Sequence, residues 1–159
     1  MLSIRPATVE DVKLLRTLIR ELAEFENELD QVQITEADLA RDGFGPQPKF
    51  HVLLAYWEQE PAGYALFFDF YSTWRGPQMF LEDLFVRAAF RGRKIGKSLL
   101  AEVASIAERK GCHGMRWEVL DWNRSAVDFY KSLGAEFLDD WRSILLKDDA
   151  LRQLAETAP

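Results

Sequence analysis

The feature that most restricts the fold is a series of three strand-like segments that leads into a turn rich in glycine and cations. The segments cover residues 50–57, 62–71 and 79–86, and each is a run of aromatic and aliphatic residues. Only the short breaks Glu-Gln-Glu-Pro and Trp-Arg-Gly-Pro separate them. Strands joined by such short connections pair antiparallel, because a parallel crossover needs roughly a dozen residues or more. The sequence therefore predicts an antiparallel meander at the centre of the fold.

Helical periodicity surrounds this meander. Thr8-Val-Glu-Asp resembles a capping box, and apolar residues follow it at helical spacing to about Phe25. A weaker helix start lies at Thr35. After the cationic turn, an apolar helical face begins at Ile95 and continues to Ile106. These patterns predict two helices before the meander and one after it.

The remaining segments complete an α+β pattern. Residues 2–5 and 115–120 read as strands, 123–133 as a helix and 141–146 as a last strand, with a short C-terminal helix beyond it. The order β-α-α-β-β-β-α-β-α-β predicts a central mixed, mostly antiparallel sheet of six to seven strands flanked by helices. A chain of 159 residues falls within the usual range of one domain, so we expect a single domain over residues 1–159.

Charge and composition disfavour several functional classes. The net charge of -6 argues against a general nucleic-acid binder, because such domains usually carry a basic stripe. No apolar run approaches the roughly 20 residues that span a bilayer, and the N-terminus lacks a signal-peptide pattern. We therefore expect a cytoplasmic protein with neither nucleic-acid nor membrane partners. Cys112 is the only cysteine, so an intrachain disulfide and a multi-thiolate metal site are excluded, and no metal is expected.

The turn after the meander has the composition of an anion site. Residues 91–97, Arg-Gly-Arg-Lys-Ile-Gly-Lys, place glycines and cations where backbone N–H groups and the helix dipole favour phosphate oxygens. A solvated basic turn is the alternative. A nucleoside-triphosphate loop is disfavoured, because Gly92 and Gly96 enclose three residues where that loop has four.

Two carboxylates, Glu82 and Asp83, interrupt the apolar run of the third meander segment. Since side chains alternate along a strand, we expect the two to point to opposite faces, so at least one avoids the bulk core. A carboxylate in such a setting needs a partner or has a raised pKa, which makes the pair candidates for proton handling. The alternative is an ion pair that ties the strand to a neighbouring helix.

The element order and a set of short motifs together resemble the GNAT acetyltransferase superfamily. Within it, the chain resembles the thialysine and spermidine/spermine N-acetyltransferases, the diamine acetyltransferases, over residues 4–146. The motifs that carry the resemblance are 20–26 (Arg-Glu-Leu-Ala-Glu-Phe-Glu), 42–45 (Asp-Gly-Phe-Gly), 71–74 (Tyr-Ser-Thr-Trp), 81–83 (Leu-Glu-Asp), 91–96, 120–123 (Leu-Asp-Trp-Asn), 129–131 (Phe-Tyr-Lys) and 133–135 (Leu-Gly-Ala).

The resemblance implies a binding mode for acetyl-CoA as the co-substrate. The backbone of Leu84, Phe85 and Val86 would pair with the pantetheine arm. The pyrophosphate would be held by the turn residues Arg91, Gly92, Arg93, Lys94, Ile95, Gly96 and Lys97. The first residues of the next helix, Asn123, Ser125 and Ala126, would contact the rest of the molecule.

The resemblance also implies catalytic and acceptor residues. Tyr130 would support departure of the CoA thiolate, and Glu82 would help to remove the amine proton through water. The amine pocket would be lined by aromatic and acidic residues, which suit a cation. They are Phe25, Glu26, Trp74, Asp83, Trp117, Glu118 and Trp141. Ordinary core packing is the alternative for the tryptophans and for Tyr130. A homodimer is implied as well.

The chain departs from the family pattern at Lys94, at Ser72-Thr73 and in a shorter connection before Trp141. The family normally has glycine at the position of Lys94, so a side chain there either crowds the cofactor or adds a phosphate contact. Ser72-Thr73 stands where the polyamine enzymes tend to carry an acid and a proline, and it resembles the thialysine branch. The sequence thus predicts direct acetyl transfer to thialysine, a lysine-like amine or a short diamine. Polyamine, protein and antibiotic amines remain alternative acceptors, and an acetyl-CoA-sensing module is the non-enzymatic alternative.

Overall fold

The computed structural model describes residues 1–159, which form two compact units, Met1–Glu118 and Val119–Pro159. The single domain remains a prediction. The first unit contains the following strands and helices: β1 (Leu2–Pro6), α1 (Val12–Phe25), α2 (Glu36–Phe44), β2 (His51–Trp57), β3 (Glu60–Ser72), β4 (Gly76–Val86), α3 (Ile95–Arg109) and β5 (Met115–Arg116). The second contains α4 (Arg124–Ser132) and α5 (Asp148–Ala155). No helix has both the length and the apolar character that crossing a membrane requires.

The first unit is built on one mixed sheet with the strand order β1-β2-β3-β4-β5. The strands β1 to β4 are antiparallel neighbours, and β5 joins β4 in parallel through the crossover helix α3. The predicted meander and the α+β class are therefore confirmed. Parallel pairing of β5 follows from the length of its connection, which a short turn could not make.

Two capping boxes fix the chain before the meander. Thr8 donates its backbone N–H to Asp11 Oδ2 at 2.7 Å and opens a 3-10 turn that continues into α1. Thr35 accepts at its Oγ1 from the Asp38 backbone N–H at 3.1 Å and opens α2. Both helix starts predicted from the sequence are confirmed, since each polar side chain satisfies an N–H that the helix leaves unpaired.

One apolar layer fills the space between the sheet and the two N-terminal helices. Its buried members come from α1, α2 and three strands: Val12, Leu15, Leu18, Leu39, Val52, Leu54, Tyr64, Leu66 and Phe85. Burial of one such side chain contributes roughly 1.5–3 kcal/mol, so this layer fixes where the end of α1 lies over β3 and β4.

The sheet has five strands, where the sequence predicted six to seven. Residues 141–146 do not form the predicted last strand, and their apolar side chains are exposed, Ile144 by 93%. The strand predicted at 115–120 is reduced to Met115–Arg116. The β-rich composition of both segments was identified correctly, but a strand also needs a neighbour to receive its hydrogen bonds. Residues 141–146 pair with no strand of the sheet.

Candidate active site

A β-bulge in β4 places the two predicted carboxylates. Asp83 pairs with Leu66 of β3 and Leu81 pairs with Phe67, so Glu82 is the extra residue without a partner on β3. Leu66 and Phe67 are consecutive and face opposite sides of the sheet, and therefore Leu81 and Asp83 do so as well. The expected simple alternation thus breaks at Glu82, because an inserted residue shifts the register by one.

Directly beside the bulge, Asp83 lies next to the hydroxyl of Tyr64. Tyr64 donates to Asp83 Oδ2 at 2.8 Å. Burial raises the pKa of Asp83 to about 6. The hydrogen bond from Tyr64 lowers this pKa, whereas the charges of Glu82 and Glu26 raise it further. Neither Glu82 nor Asp83 forms an ion pair, so the alternative of a tie to a helix is excluded. Asp83 thus has both a hydrogen-bond partner and a raised pKa, and its role at the site stays a prediction.

Glu26 joins the two strand carboxylates from the end of α1. It is partly buried, and burial together with the charges of Glu28 and Glu82 raises its pKa. Glu82 keeps an exposed surface, yet burial of its carboxyl, followed by the charge of Glu118, raises its pKa too. The structure therefore collects Glu26, Glu82, Asp83 and Glu118 near one another. Mutual repulsion among such groups favours a bound cation.

Beyond Phe80 the outer edge of β4 has no strand neighbour. The parallel partner β5 pairs only with Met79 and Phe80, whereas Leu84, Phe85 and Val86 pair on their other side with β3. A strand edge of this kind presents backbone N–H and C=O groups to an extended ligand. The family resemblance assigns the pantetheine contacts to the same three residues, and that role stays a prediction.

Arg91 connects this edge to the predicted acceptor residues. Its Nε donates to the Val86 carbonyl at 3.0 Å, and its guanidinium lies 4.6 Å from the ring centre of Phe25. Arg87 supports the same end of β4, because its Nε and Nη2 each donate to the Glu21 carboxylate of α1 at 2.7 Å. The C-terminal end of α1 is therefore held against the end of β4.

The cationic turn precedes a helix start that no side chain caps. Lys94 is the residue before α3 and makes no capping hydrogen bond, in contrast to Thr35 at α2 and Asn123 at α4. The first N–H groups of α3 are thus left for another acceptor. Around them stand exposed cations at Arg91, Arg93, Lys94 and Lys97. This donor set fits a diphosphate.

Lys94 occupies a backbone position that favours glycine. Lys94 adopts φ 62° and ψ 11°, the left-handed conformation that favours glycine. A side chain in that conformation costs roughly 1–2 kcal/mol. We therefore expect Lys94→Gly to raise the free energy of unfolding by about 1 kcal/mol, measured by denaturant titration. Lys97→Gly is the matched control, since Lys97 lies inside α3 and the same change there should lower stability by about 1 kcal/mol. A loss of stability in Lys94→Gly would contradict this account.

The remaining predicted residues lie in varied settings. Trp74 is at the tip of the β3–β4 hairpin and is 84% exposed, and Trp117 is partly buried. In the second unit Tyr130 is buried, whereas Trp141 is 63% exposed. Core packing is thereby excluded for Trp74 and Trp141. Roles in acceptor binding for these residues stay predictions.

Asn123, Ser125 and Ala126 lie at the start of α4. Asn123 Oδ1 accepts from the Ala126 backbone N–H at 3.3 Å, which gives Asn123 a role as the helix cap. The predicted cofactor contacts of the three residues stay predictions. Burial raises the pKa of the Tyr130 phenol in the same helix.

A separate cleft lies along the outer side of α1, with a volume of about 390 Å³. Its lining includes Arg16, Arg20, Glu24 and Glu36, and it contains none of the predicted site residues. Cations and carboxylates balance one another along it. The open edge of β4 and the carboxylate group, and not this cleft, therefore form the candidate site.

Sequence reasoning missed Tyr64, Glu21 and Arg87. Tyr64 carries one polar atom into the otherwise apolar run Ala-Gly-Tyr-Ala-Leu-Phe-Phe, and a buried hydroxyl normally needs a partner. That signal was present in the sequence. Identifying Asp83 as the partner required the register of the bulge.

Known proteins resemble this chain in sequence and in fold. Residues 13–135 match the Acetyltransferase (GNAT) family. The chain is 43% identical to the thialysine N-epsilon-acetyltransferase of Sus scrofa, with 96% of each chain covered. It is 38% identical to the spermidine/spermine N(1)-acetyltransferase-like protein 1 of Homo sapiens over 83% of this chain and 20% of that protein.

A solved structure shows the same fold. The aminoglycoside N-acetyltransferase crystallised in complex with CoA superposes with a TM-score of 0.72, at 22% identity, and the match covers 94% of this chain and 95% of that one. At this identity the likeness extends to the fold alone.

Proposed function

Because the chain belongs to the GNAT acetyltransferase family and is an acetyltransferase, we propose that it transfers an acetyl group from acetyl-CoA to the primary amine of a small cationic metabolite. The acceptor class is thialysine, a lysine-like amine or a short diamine. The observation that carries the proposal is the group of Glu26, Glu82 and Asp83 beside the open edge of β4. The 43% sequence identity to a thialysine N-epsilon-acetyltransferase, over 96% of this chain, supports this acceptor class.

The cofactor site fits acetyl-CoA by its donor set. The uncapped start of α3 and its cations would hold the diphosphate, and the β4 edge at Leu84 and Val86 would pair with the pantetheine amides. Bound acetyl-CoA supplies the thioester carbonyl that the amine attacks. Arg91, whose side chain touches both Val86 and Phe25, lies where the cofactor and acceptor sites meet.

The chain's own task is to remove a proton and to stabilise a leaving group. An alkylammonium with a pKa of about 10.4 must lose a proton before it attacks, at a cost on the order of 4 kcal/mol at pH 7. Glu82, with its raised pKa, is a stronger base than an ordinary carboxylate and takes this proton through water. The Tyr130 phenol donates to the departing thiolate.

Transfer by direct attack makes Cys112 dispensable. Cys112 lies just beyond the C-terminal end of α3, away from the helix N-terminus that activates a nucleophilic thiol. We expect Cys112→Ser to keep turnover within about twofold of the unchanged protein, measured by thiol release. A correctly folded variant without activity would instead indicate a covalent acetyl-enzyme.

An amine panel tests the function. Thiol release is measured with thialysine, lysine, short diamines, spermidine and an aminoglycoside, and acetyl-CoA binding is measured by calorimetry. We expect kcat/KM to be highest for thialysine, lysine or a short diamine. Highest activity on spermidine or the aminoglycoside would reassign the acceptor. Tight acetyl-CoA binding without thiol release on any amine would favour an acetyl-CoA-sensing module.

The assembly and the cellular location belong to the same proposal. The resemblance favours a cytoplasmic homodimer, and sedimentation velocity on the purified chain measures the oligomeric state.

A further inference from the structure

Tyr64 is rigidly placed within the first unit. It lies in the middle of β3 and its residue surface is fully buried. Its ring belongs to the apolar layer with Leu15 and Leu18 of α1, and it packs edge-on against Phe85 at 6.3 Å between ring centres. Such packing leaves the ring one orientation, so the direction of its hydroxyl is fixed by the core.

That hydroxyl reaches Asp83 through the register between β3 and β4. Tyr64 lies two residues before Leu66 and on the same face of β3, and Leu66 is the partner of Asp83. Tyr64 and Asp83 are therefore diagonal neighbours across two strands, within reach of a long side chain. Asp83 continues the register of Leu84 and Phe85, which pair with Ala65 and Tyr64, and the bulge changes only the face that Leu81 and the residues before it take. The register on the Asp83 side of the bulge thus brings together a buried phenol and a carboxylate at 2.8 Å.

The groups around Asp83 make this hydrogen bond important for the ionisation of its carboxyl. The groups that act on Asp83 come from three elements: Tyr64 on β3, Glu82 on β4 and Glu26 directly after α1. Glu82 and Glu26 are acidic, and burial also opposes the ionised form. The hydroxyl of Tyr64 is the one group among them that favours ionised Asp83.

We propose that Tyr64 is a positioning residue that keeps the Asp83 carboxylate ionised and aimed at the cationic acceptor. The role assigned to Asp83 in acceptor binding rests on the proposed function. The coupling of Tyr64 to Asp83 rests on the register of the bulge and the hydrogen bond alone. Tyr64 contacts neither the acceptor nor the cofactor in this scheme and acts through Asp83.

Tyr64→Phe tests the proposal because it keeps the ring and removes only the donor. Loss of a hydrogen bond to a charged group should lower kcat/KM for the preferred amine about tenfold at pH 7, mainly through a higher KM. Asp83 should then ionise at a higher pH, so the loss should shrink to about twofold at pH 8.5. In an Asp83→Asn background, Tyr64→Phe should have little further effect.

Tyr56→Phe is the matched control. Tyr56 lies in β2 of the same sheet, and its hydroxyl accepts from Arg5 Nη2 at 2.8 Å, outside the carboxylate group. Its loss should leave the pH profile unchanged. A pH-independent loss in Tyr64→Phe, or a loss of equal size in Tyr56→Phe, would overturn the proposal.

A titration followed by carbon-13 NMR separates this inference from the proposed function. In the unchanged protein without substrate, the Asp83 carboxyl and the Tyr64 Cζ signals should titrate together, near pH 6. In Tyr64→Phe the Asp83 signal should titrate at a higher pH. A Tyr64 signal that does not follow Asp83 would overturn the inference even if the variant failed to fold. Inactivity toward every amine would refute the function and leave this test valid.

Discussion

Replacing Tyr130 with phenylalanine is expected to lower turnover by about 10²-fold while acetyl-CoA binding stays unchanged. A thiolate of pKa about 8.5 leaves more easily when a phenol donates a hydrogen bond to it. Burial raises the pKa of the Tyr130 phenol, so the group remains protonated throughout the neutral range and keeps its donor. Removing the hydroxyl leaves the packed ring and deletes only that donor. Single-turnover measurements of thiol release and calorimetry with acetyl-CoA check both parts.

The leaving group provides the control for Tyr130. An acetyl-CoA analogue whose thiol has a pKa well below about 8.5 needs less help to depart. Tyr130→Phe should therefore lose much less activity with that analogue than with acetyl-CoA. A variant that loses the same factor with both donors, or one that keeps nearly full activity with acetyl-CoA, would remove Tyr130 from the chemical step.

The regular elements were predictable because local rules decide them. The strands β2, β3 and β4 are apolar runs bounded by turns, and α1 and α2 begin at polar capping boxes. Each signal lies within a few residues of the element that it specifies, and so it can be read without knowledge of the fold. The same applies to the cations and glycines before α3.

Features that depend on pairing between distant segments were not predictable. The bulge at Glu82 exists only in the register between β3 and β4, and it decides that Leu81 and Asp83 face opposite sides of the sheet. Residues 141–146 have strand composition, but they pair with no strand, because composition does not by itself bring a segment to a sheet edge. The contacts of Arg91 with Val86 and Phe25 likewise join residues that only the fold brings together.

Lys94 combines a departure from the family pattern with a strained backbone conformation. The resemblance identified a lysine at a position normally held by glycine, and the structure supplies the reason for the glycine, a left-handed φ of 62°. A conformation that costs roughly 1–2 kcal/mol with a side chain is retained here at the start of α3. Strain of this kind is common where a backbone must present its N–H groups in one direction.

Replacing Glu82 with glutamine is expected to lower turnover about 10²-fold at pH 7, because the amide cannot accept the proton that the amine must lose. Burial and the charge of Glu118 raise the pKa of Glu82, so in the unchanged protein activity should fall as the pH drops through that raised value. A second effect distinguishes this account from simple damage. The negative charge of Glu82 helps to raise the pKa of Asp83, and its removal should shift the remaining acidic limb to a pH below about 6.

The pH dependence of kcat/KM for both proteins is the measurement for Glu82. Glu102→Gln, an exposed glutamate on α3, is the matched control and should leave the rate and the profile unchanged. An acidic limb that stayed in place in Glu82→Gln would mean that the carboxylates are not coupled. If Glu82→Gln kept activity within about twofold of the unchanged protein at pH 7, water alone would remove the proton. Glu82 would then serve binding and not catalysis.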